Sequence, residues 1–216
     1  MFISFKMIAQ DSIPSTNSTY KEDQWYGSLS FLLASESIDG FRFNGLSQAF
    51  SLGFIIDFPL NQESNKALGL GLGYGISNYG SNLGILKEGA SGYQFNLIEN
   101  TLLASKNRLI SHFIEVPIEY RWRTSTASSY VFWRVYAGYL LRYNFFSRSK
   151  PFTGDSTVLE EVRPLSHALK LSAGYNTWNI YVEYSLSPYF KKGIQTNLGT
   201  PLKLNSIKVG LIFYVL

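Results

Sequence analysis

A two-residue alternation of apolar with small or polar side chains recurs in eight separate segments of this chain. Successive residues of a strand face opposite sides, so each such segment carries one apolar face and one polar face. The pattern is cleanest at 68–77. There Leu68, Leu70, Leu72, Tyr74 and Ile76 share one face, and Gly69, Gly71, Gly73, Gly75 and Ser77 share the other. Residues 49–58 behave alike, with Phe50, Leu52, Phe54, Ile56 and Phe58 opposed to Ala49, Ser51, Gly53, Ile55 and Asp57. The remaining segments are 25–34, 111–122, 130–143, 167–175, 178–187 and 206–215. Five alternate positions span about 25 Å once a strand tilt of roughly 40° is allowed for, the height of a bilayer's apolar band.

Composition decides which face is outside. A soluble barrel alternates as well, but with apolar side chains inward and polar ones outward. Here charged residues are 16% and aromatics 16%, against about 25% charged in a typical soluble domain. The polar faces are mostly Gly, Ser and Ala with a few charges, which suits a narrow interior, and the bulky continuous face suits lipid. No stretch approaches the roughly 18 apolar residues of a membrane helix. Trp25, Phe58, Trp122, Trp133, Tyr143, Tyr175 and Trp178 stand at segment ends, where interfacial aromatics belong.

The connections agree. With the N-terminus on the periplasmic side, the outer loops are 35–48, 78–110, 144–166 and 188–205. The inner turns are 59–66, 123–129 and Asn176-Thr177, each shorter than any outer loop. An even strand number with full closure leaves no unpaired edge in lipid. The expectation is an all-β, eight-stranded antiparallel transmembrane β-barrel of the outer-membrane type over 25–216. Residues 1–24 read as a signal-peptide remnant and linker: Met1–Ala9 is apolar, and Ala9-Gln10-Asp11 has the form of a processing junction. That segment is short for a signal, so a start upstream is expected.

The inner faces carry Asp57, Glu115, Glu119, Arg121, Arg134, Arg142, Lys170, Glu183 and Lys208. Unpaired buried charge is costly, so these are expected to form a luminal network that plugs the barrel; a proton or ion pathway is the competing reading. A symmetric 124–129 turn puts Glu119 opposite Arg134, and a two-residue turn at 176–177 puts Lys170 opposite Glu183.

Other chemistry is missing. There are no cysteines, and the net charge of +4 is scattered, with no basic stripe for nucleic acid. The glycines of 68–77 do not fall at dinucleotide spacing. His112 and His167 each follow a serine, Ser111 and Ser166, and adjacent strand residues face opposite sides, so neither pair makes a dyad. No catalytic residue, cofactor, metal or small-molecule substrate is expected.

One stretch is more specific than barrel patterning. Ile114-Glu115-Val116-Pro117, then Arg121-Trp122-Arg123-Thr124-Ser125-Thr126, then Phe132-Trp133-Arg134 resemble the PorT family of Bacteroidetes outer-membrane barrels. The resemblance covers the fourth and fifth segments and the general layout of the rest. It implies an outer-membrane accessory component of type IX protein secretion and gliding, with type IX proteins and outer-membrane lipids as partners. It also implies that Trp122, Arg123 and Thr124 sit at the periplasmic rim and contact a partner. Against that stands a plainer role: tryptophans as interfacial anchors and arginines on lipid headgroups. The alternative function is a small OmpA-like structural or adhesive barrel acting through loops 78–110 and 144–166. A closed barrel of either kind should migrate differently on SDS gels before and after boiling, and an unshifted band would count against the fold.

Overall fold

The computed structural model describes residues 23–36, 38–43, 46–88, 92–98, 107–124, 133–151 and 155–215. Of the expected signal remnant and linker at 1–24, residues 1–22 lie outside the described residues, as do Ser125, Thr126, Val131 and Phe132. The strands are β1 (Gln24–Glu36), β2 (Gln48–Pro59), β3 (Lys66–Gly80), β4 (Leu83–Glu88), β5 (Gly92–Leu97) and β6 (Arg108–Arg123). They continue with β7 (Trp133–Lys150), β8 (Thr157–Val158), β9 (Leu165–Tyr175), β10 (Trp178–Ser185) and β11 (Asn205–Val215). Gln24, assigned to the linker above, already belongs to β1.

Eight of these strands pair in the order β6-β3-β2-β1-β11-β10-β9-β7, and β7 returns to β6, so the sheet closes on itself. Every pairing is antiparallel. The seam between the first and last strands runs from Trp25↔Val215 to Ala34↔Ser206. The expected eight-stranded barrel is therefore what the chain forms. The β4–β5 hairpin and the short β8, which pairs with the far end of β7, lie on the side of the long loops.

Sidedness follows the alternation. Leu72 is 62% exposed and Ile180 66%, in company with Leu29, Phe31, Leu52, Leu70, Leu171 and Val182. So large a continuous apolar surface needs lipid around it. The inward faces of β2 and β3 are built of small residues for a steric reason. A Cβ on Gly73 would run into the Tyr26 hydroxyl, and one on Gly75 into the Phe113 ring. The turn Asn176-Thr177 joins Tyr175 directly to Trp178, with Asn176 at φ 56°. A left-handed residue matches a tight hairpin to strand twist, and asparagine tolerates it.

Two expectations change. The strands outlast the apolar pattern: β7 runs on to Lys150 and β6 begins at Arg108, still in register with each other. Lipid imposes the alternation only inside the membrane, whereas the backbone ladder continues beyond it, so 144–150 was unreadable as strand by hydropathy. A bulge falls there too. His112 pairs with Phe146 and Phe113 with Asn144, leaving Phe145 as the extra residue. Phe145 and Phe146, consecutive in sequence, are consequently both exposed.

The second change is register. Glu119 lies opposite Gly138, and Arg134 lies opposite Arg123. The pairing is displaced from the presumed symmetric turn because it is Trp133 that meets Thr124: Thr124 N–H donates to Trp133 O (3.0 Å) and Trp133 N–H to Thr124 Oγ1 (3.0 Å). Lys170 does lie opposite Glu183. Since the outer face meets hydrocarbon, Leu72→Arg at mid-strand should cost about 2–4 kcal/mol of stability. Urea unfolding in phospholipid vesicles measures it, and a change within about 0.5 kcal/mol, normal for a water-facing site, would contradict the sidedness.

Candidate functional site

The lumen is filled in layers. At the periplasmic end Asp57 on β2 is ion-paired with both Arg121 and Arg123 on β6, and all three are fully buried. Arg121 also donates from Nη2 to Gln24 Oε1 (3.0 Å) and from Nε to Glu119 Oε2 (3.2 Å). Arg123 Nε donates to the Ser64 carbonyl at 3.0 Å. Their charge is further spread over aromatic faces. The Arg121 guanidinium lies 4.5 Å from the Tyr136 ring centroid, and that of Arg134 lies 5.9 Å from Tyr214.

One layer up, Lys170 on β9 is ion-paired with Glu119. Its direct neighbour Glu183 turns instead to Arg142. Arg142 on β7 grips Glu183 with both Nη atoms (2.5 and 2.6 Å) and donates from Nε to Glu115 Oε2 at 2.9 Å. Lys208 Nζ stands 3.4 Å from Glu183, and Tyr26 donates its hydroxyl proton to Glu115 Oε1 at 2.8 Å. Two-pronged Arg–carboxylate contacts with the remaining lone pairs occupied are the geometry in which buried charge is tolerable.

Above the charges comes a layer of hydroxyls. Ser111 Oγ is hydrogen-bonded to Ser147 Oγ (2.8 Å) and to the Tyr189 hydroxyl (2.6 Å). It edges a cavity of about 40 Å³ that Ser77, Ser185, Ser187 and Ser206 also line. Tyr79 and Tyr189, rings 5.0 Å apart and edge-on, close it from outside. Burial pushes the Tyr189 hydroxyl above the ordinary tyrosine range, so it stays protonated.

Beyond that lid the outer loops share an apolar core of their own. Phe41, Leu83, Ile85, Phe95, Leu109, Leu159, Val162, Phe190, Leu202 and Leu204 are all buried in it. Polar ties hold the loops together. Tyr93 OH donates to the Val158 carbonyl (2.9 Å), Asn197 N–H to Phe95 O (3.1 Å), and Asn82 Nδ2 to Gly40 O (2.8 Å). Sequence reasoning treats these segments as loops because their apolar residues follow no period.

Of the rim residues, Trp122 is 39% exposed on the lipid face, and Thr124 is exposed and occupied with Trp133. Arg123 is a correction. It points inward to Asp57, because it shares the parity of Arg121 on a strand that runs one residue past the segment read from the alternation. Gln24, Tyr26, Tyr136 and Tyr214 join the luminal network and carry no charge, so a search for titratable pairs passes over them. The histidines lie on the outer face. His112 Nδ1 is hydrogen-bonded to the Tyr74 hydroxyl (2.6 Å), and His167 stacks on Tyr139. Ser111 points the other way, into the lumen.

Breaking a buried pair by removing one partner costs about 3–5 kcal/mol. Glu183→Gln leaves Arg142 with Glu115 alone and takes from Lys208 its Glu183 partner, and should cost that much in the unfolding free energy measured in urea, whereas Val182→Leu on the adjacent lipid-facing position should cost under about 1.5 kcal/mol. Equal effects of the two changes would remove the network as a stabilising element.

A family model described as outer membrane protein β-barrel domain matches residues 10–191 of this chain. Among solved structures, the chain is similar to the crystal structure of Ail, the attachment invasion locus protein of Yersinia pestis, in complex with the heparin analogue sucrose octasulfate. The two share 13% identity at a TM-score of 0.41, over 90% of this chain and 99% of the other. No curated protein matches the chain. On the strength of the family match, this closed and internally charged barrel belongs to the outer membrane β-barrel domain family and resides in the outer membrane.

Proposed function

We propose that the chain is a non-enzymatic accessory component of type IX protein secretion, acting through contacts at its rims and loops and not as the conduit. The observation that carries this reading is that one hairpin supplies both the motif and a large share of the plug. Glu115, Arg121, Arg123 and Arg134, all within the residues resembling the PorT family, fill the lumen with Glu119 and Arg142 of the same hairpin and with Asp57, Lys170, Glu183 and Lys208 from the other strands. With that filling in place, no unfolded or folded polypeptide threads the barrel, and only its two ends remain for work. At the periplasmic end Trp122, Thr124 and Trp133 are, among the described residues, the motif residues left on the surface.

A second reading, a structural or adhesive barrel, draws support from the folded outer cap. Loops 78–110 and 144–166 are bound to each other there through Tyr93 and Val158, an investment in shape that a purely periplasmic role does not call for. Deleting the gene separates the two readings. Under the secretion reading, type IX cargo disappears from the cell surface and medium, and re-expression of the intact chain restores it. Normal export with lost attachment would transfer the function to the outer cap.

A further inference from the structure

The outer end of the β9–β10 wall carries a feature that neither the plug nor the secretion role uses. Arg163, just before β9, and Lys191, Lys192 and Lys203, in the loop after β10, surround one cavity of about 360 Å³. The three lysines are exposed. No residue lining the cavity is acidic, and among the described residues none of the four cations forms an ion pair. The arrangement is held by the backbone. Arg163 donates from Nε to Pro188 O (3.2 Å) and from its own N–H to Tyr189 O (2.9 Å), while Lys191 N–H donates to Glu161 O (2.9 Å). Gly193, at φ 88°, turns the chain directly after the two adjacent lysines.

The floor of the same cavity is the lipid-facing wall. His167 and the exposed Leu186 line it, and Leu186 N–H donates to His167 O at 2.9 Å. Leu165, Leu169 and Tyr184 are exposed on the same wall. On the other side of Lys191 a hollow of about 270 Å³ is lined by Phe145, Phe146, Val158 and Pro164 together with Asn144 and Glu160. Cations thus stand immediately above hydrocarbon-facing side chains, with a hollow lined in part by phenylalanines alongside.

We infer that this outer rim is a binding site for a phosphorylated glycolipid of the outer leaflet. Its phosphate lies among Arg163, Lys191, Lys192 and Lys203, and its acyl chains lie along Leu169, Leu186 and the phenylalanine-lined hollow. The two halves of the site argue for one amphiphile. A soluble anion has no use for the apolar floor, and a neutral lipid has none for four cations around a cavity that no acidic residue lines. Basic residues next to a membrane surface each contribute about 1 kcal/mol toward anionic lipid.

The test uses the intact barrel in mild detergent, examined by native mass spectrometry with two probes: lipid A carrying its phosphates, and the same lipid A after enzymatic dephosphorylation. The wild-type protein should retain the phosphorylated form at least roughly tenfold more strongly than the dephosphorylated one. The triple variant Lys191→Gln, Lys192→Gln, Lys203→Gln should lose roughly tenfold to a hundredfold of that affinity. The variant Lys87→Gln, Lys150→Gln, which removes exposed cations elsewhere on the outer strands, should bind as wild type does. Heat-modifiable migration of each variant establishes that the barrel has folded. Equal retention by the triple variant and the wild type would overturn the site. So would indifference to the lipid's phosphates, or ready displacement of the lipid by millimolar inorganic phosphate, which would mark a soluble-anion site.

Discussion

A backbone amide in hydrocarbon has no water to bond with, and each one left unpaired costs several kcal/mol. For this chain that requirement falls on the seam between β1 and β11, the pairing that joins the two ends of the sequence. Until Trp25 meets Val215 and Leu33 meets Ile207, both strands are open edges in lipid. The seam is also the pairing most distant in sequence, so its closure carries the largest loop-closure cost of the sheet. Its closure fixes strand number, and strand number fixes how wide the inside is.

Everything about the interior follows from that width. An eight-stranded barrel leaves room for side chains but not for a channel. The chain fills the room with an inverted core, ionic and aromatic, and meets the steric consequence with glycines on β2 and β3 beneath Tyr26 and Phe113. Gly138 plays the same part across from Glu119, where a Cβ would crowd the glutamate's own side chain at 2.9 Å. Removing that bulk lets Glu119 reach Lys170 two strands away, in place of any partner directly opposite. The ion pairs are therefore set by where small residues open space as much as by which charges are neighbours.

This explains what could and could not be read from the sequence. Strand number, sidedness, the order of long and short connections, and the inward charges were legible, because lipid imposes a period of two on every crossing. Register across β6–β7 was not, because it depends on Thr124 bonding Trp133 and not on the side-chain pattern. The partners of Glu119 and Glu183 depend in turn on that register. The continuation of β7 to Lys150, the Phe145 bulge and the cap at Phe95 and Phe190 lie where lipid no longer enforces alternation. Arg123 was legible in parity and misread in position, since the rim was drawn one residue too early.

The interior contains two cores that share almost nothing. The ionic core ends at Arg142 and Lys208. The apolar cap begins at Tyr79 and Tyr189, and between them lies the serine-lined cavity. Hydroxyls with room for water transmit little packing strain compared with close-packed side chains. The cap can consequently change shape or composition without disturbing the charges below, and the charges can hold the barrel shut whatever the cap binds. Such a division suits a protein whose barrel is a fixed platform. What distinguishes one such barrel from another then lies in the loops and rims, where the backbone is held by Asn82, Tyr93 and Arg163 and the lipid begins.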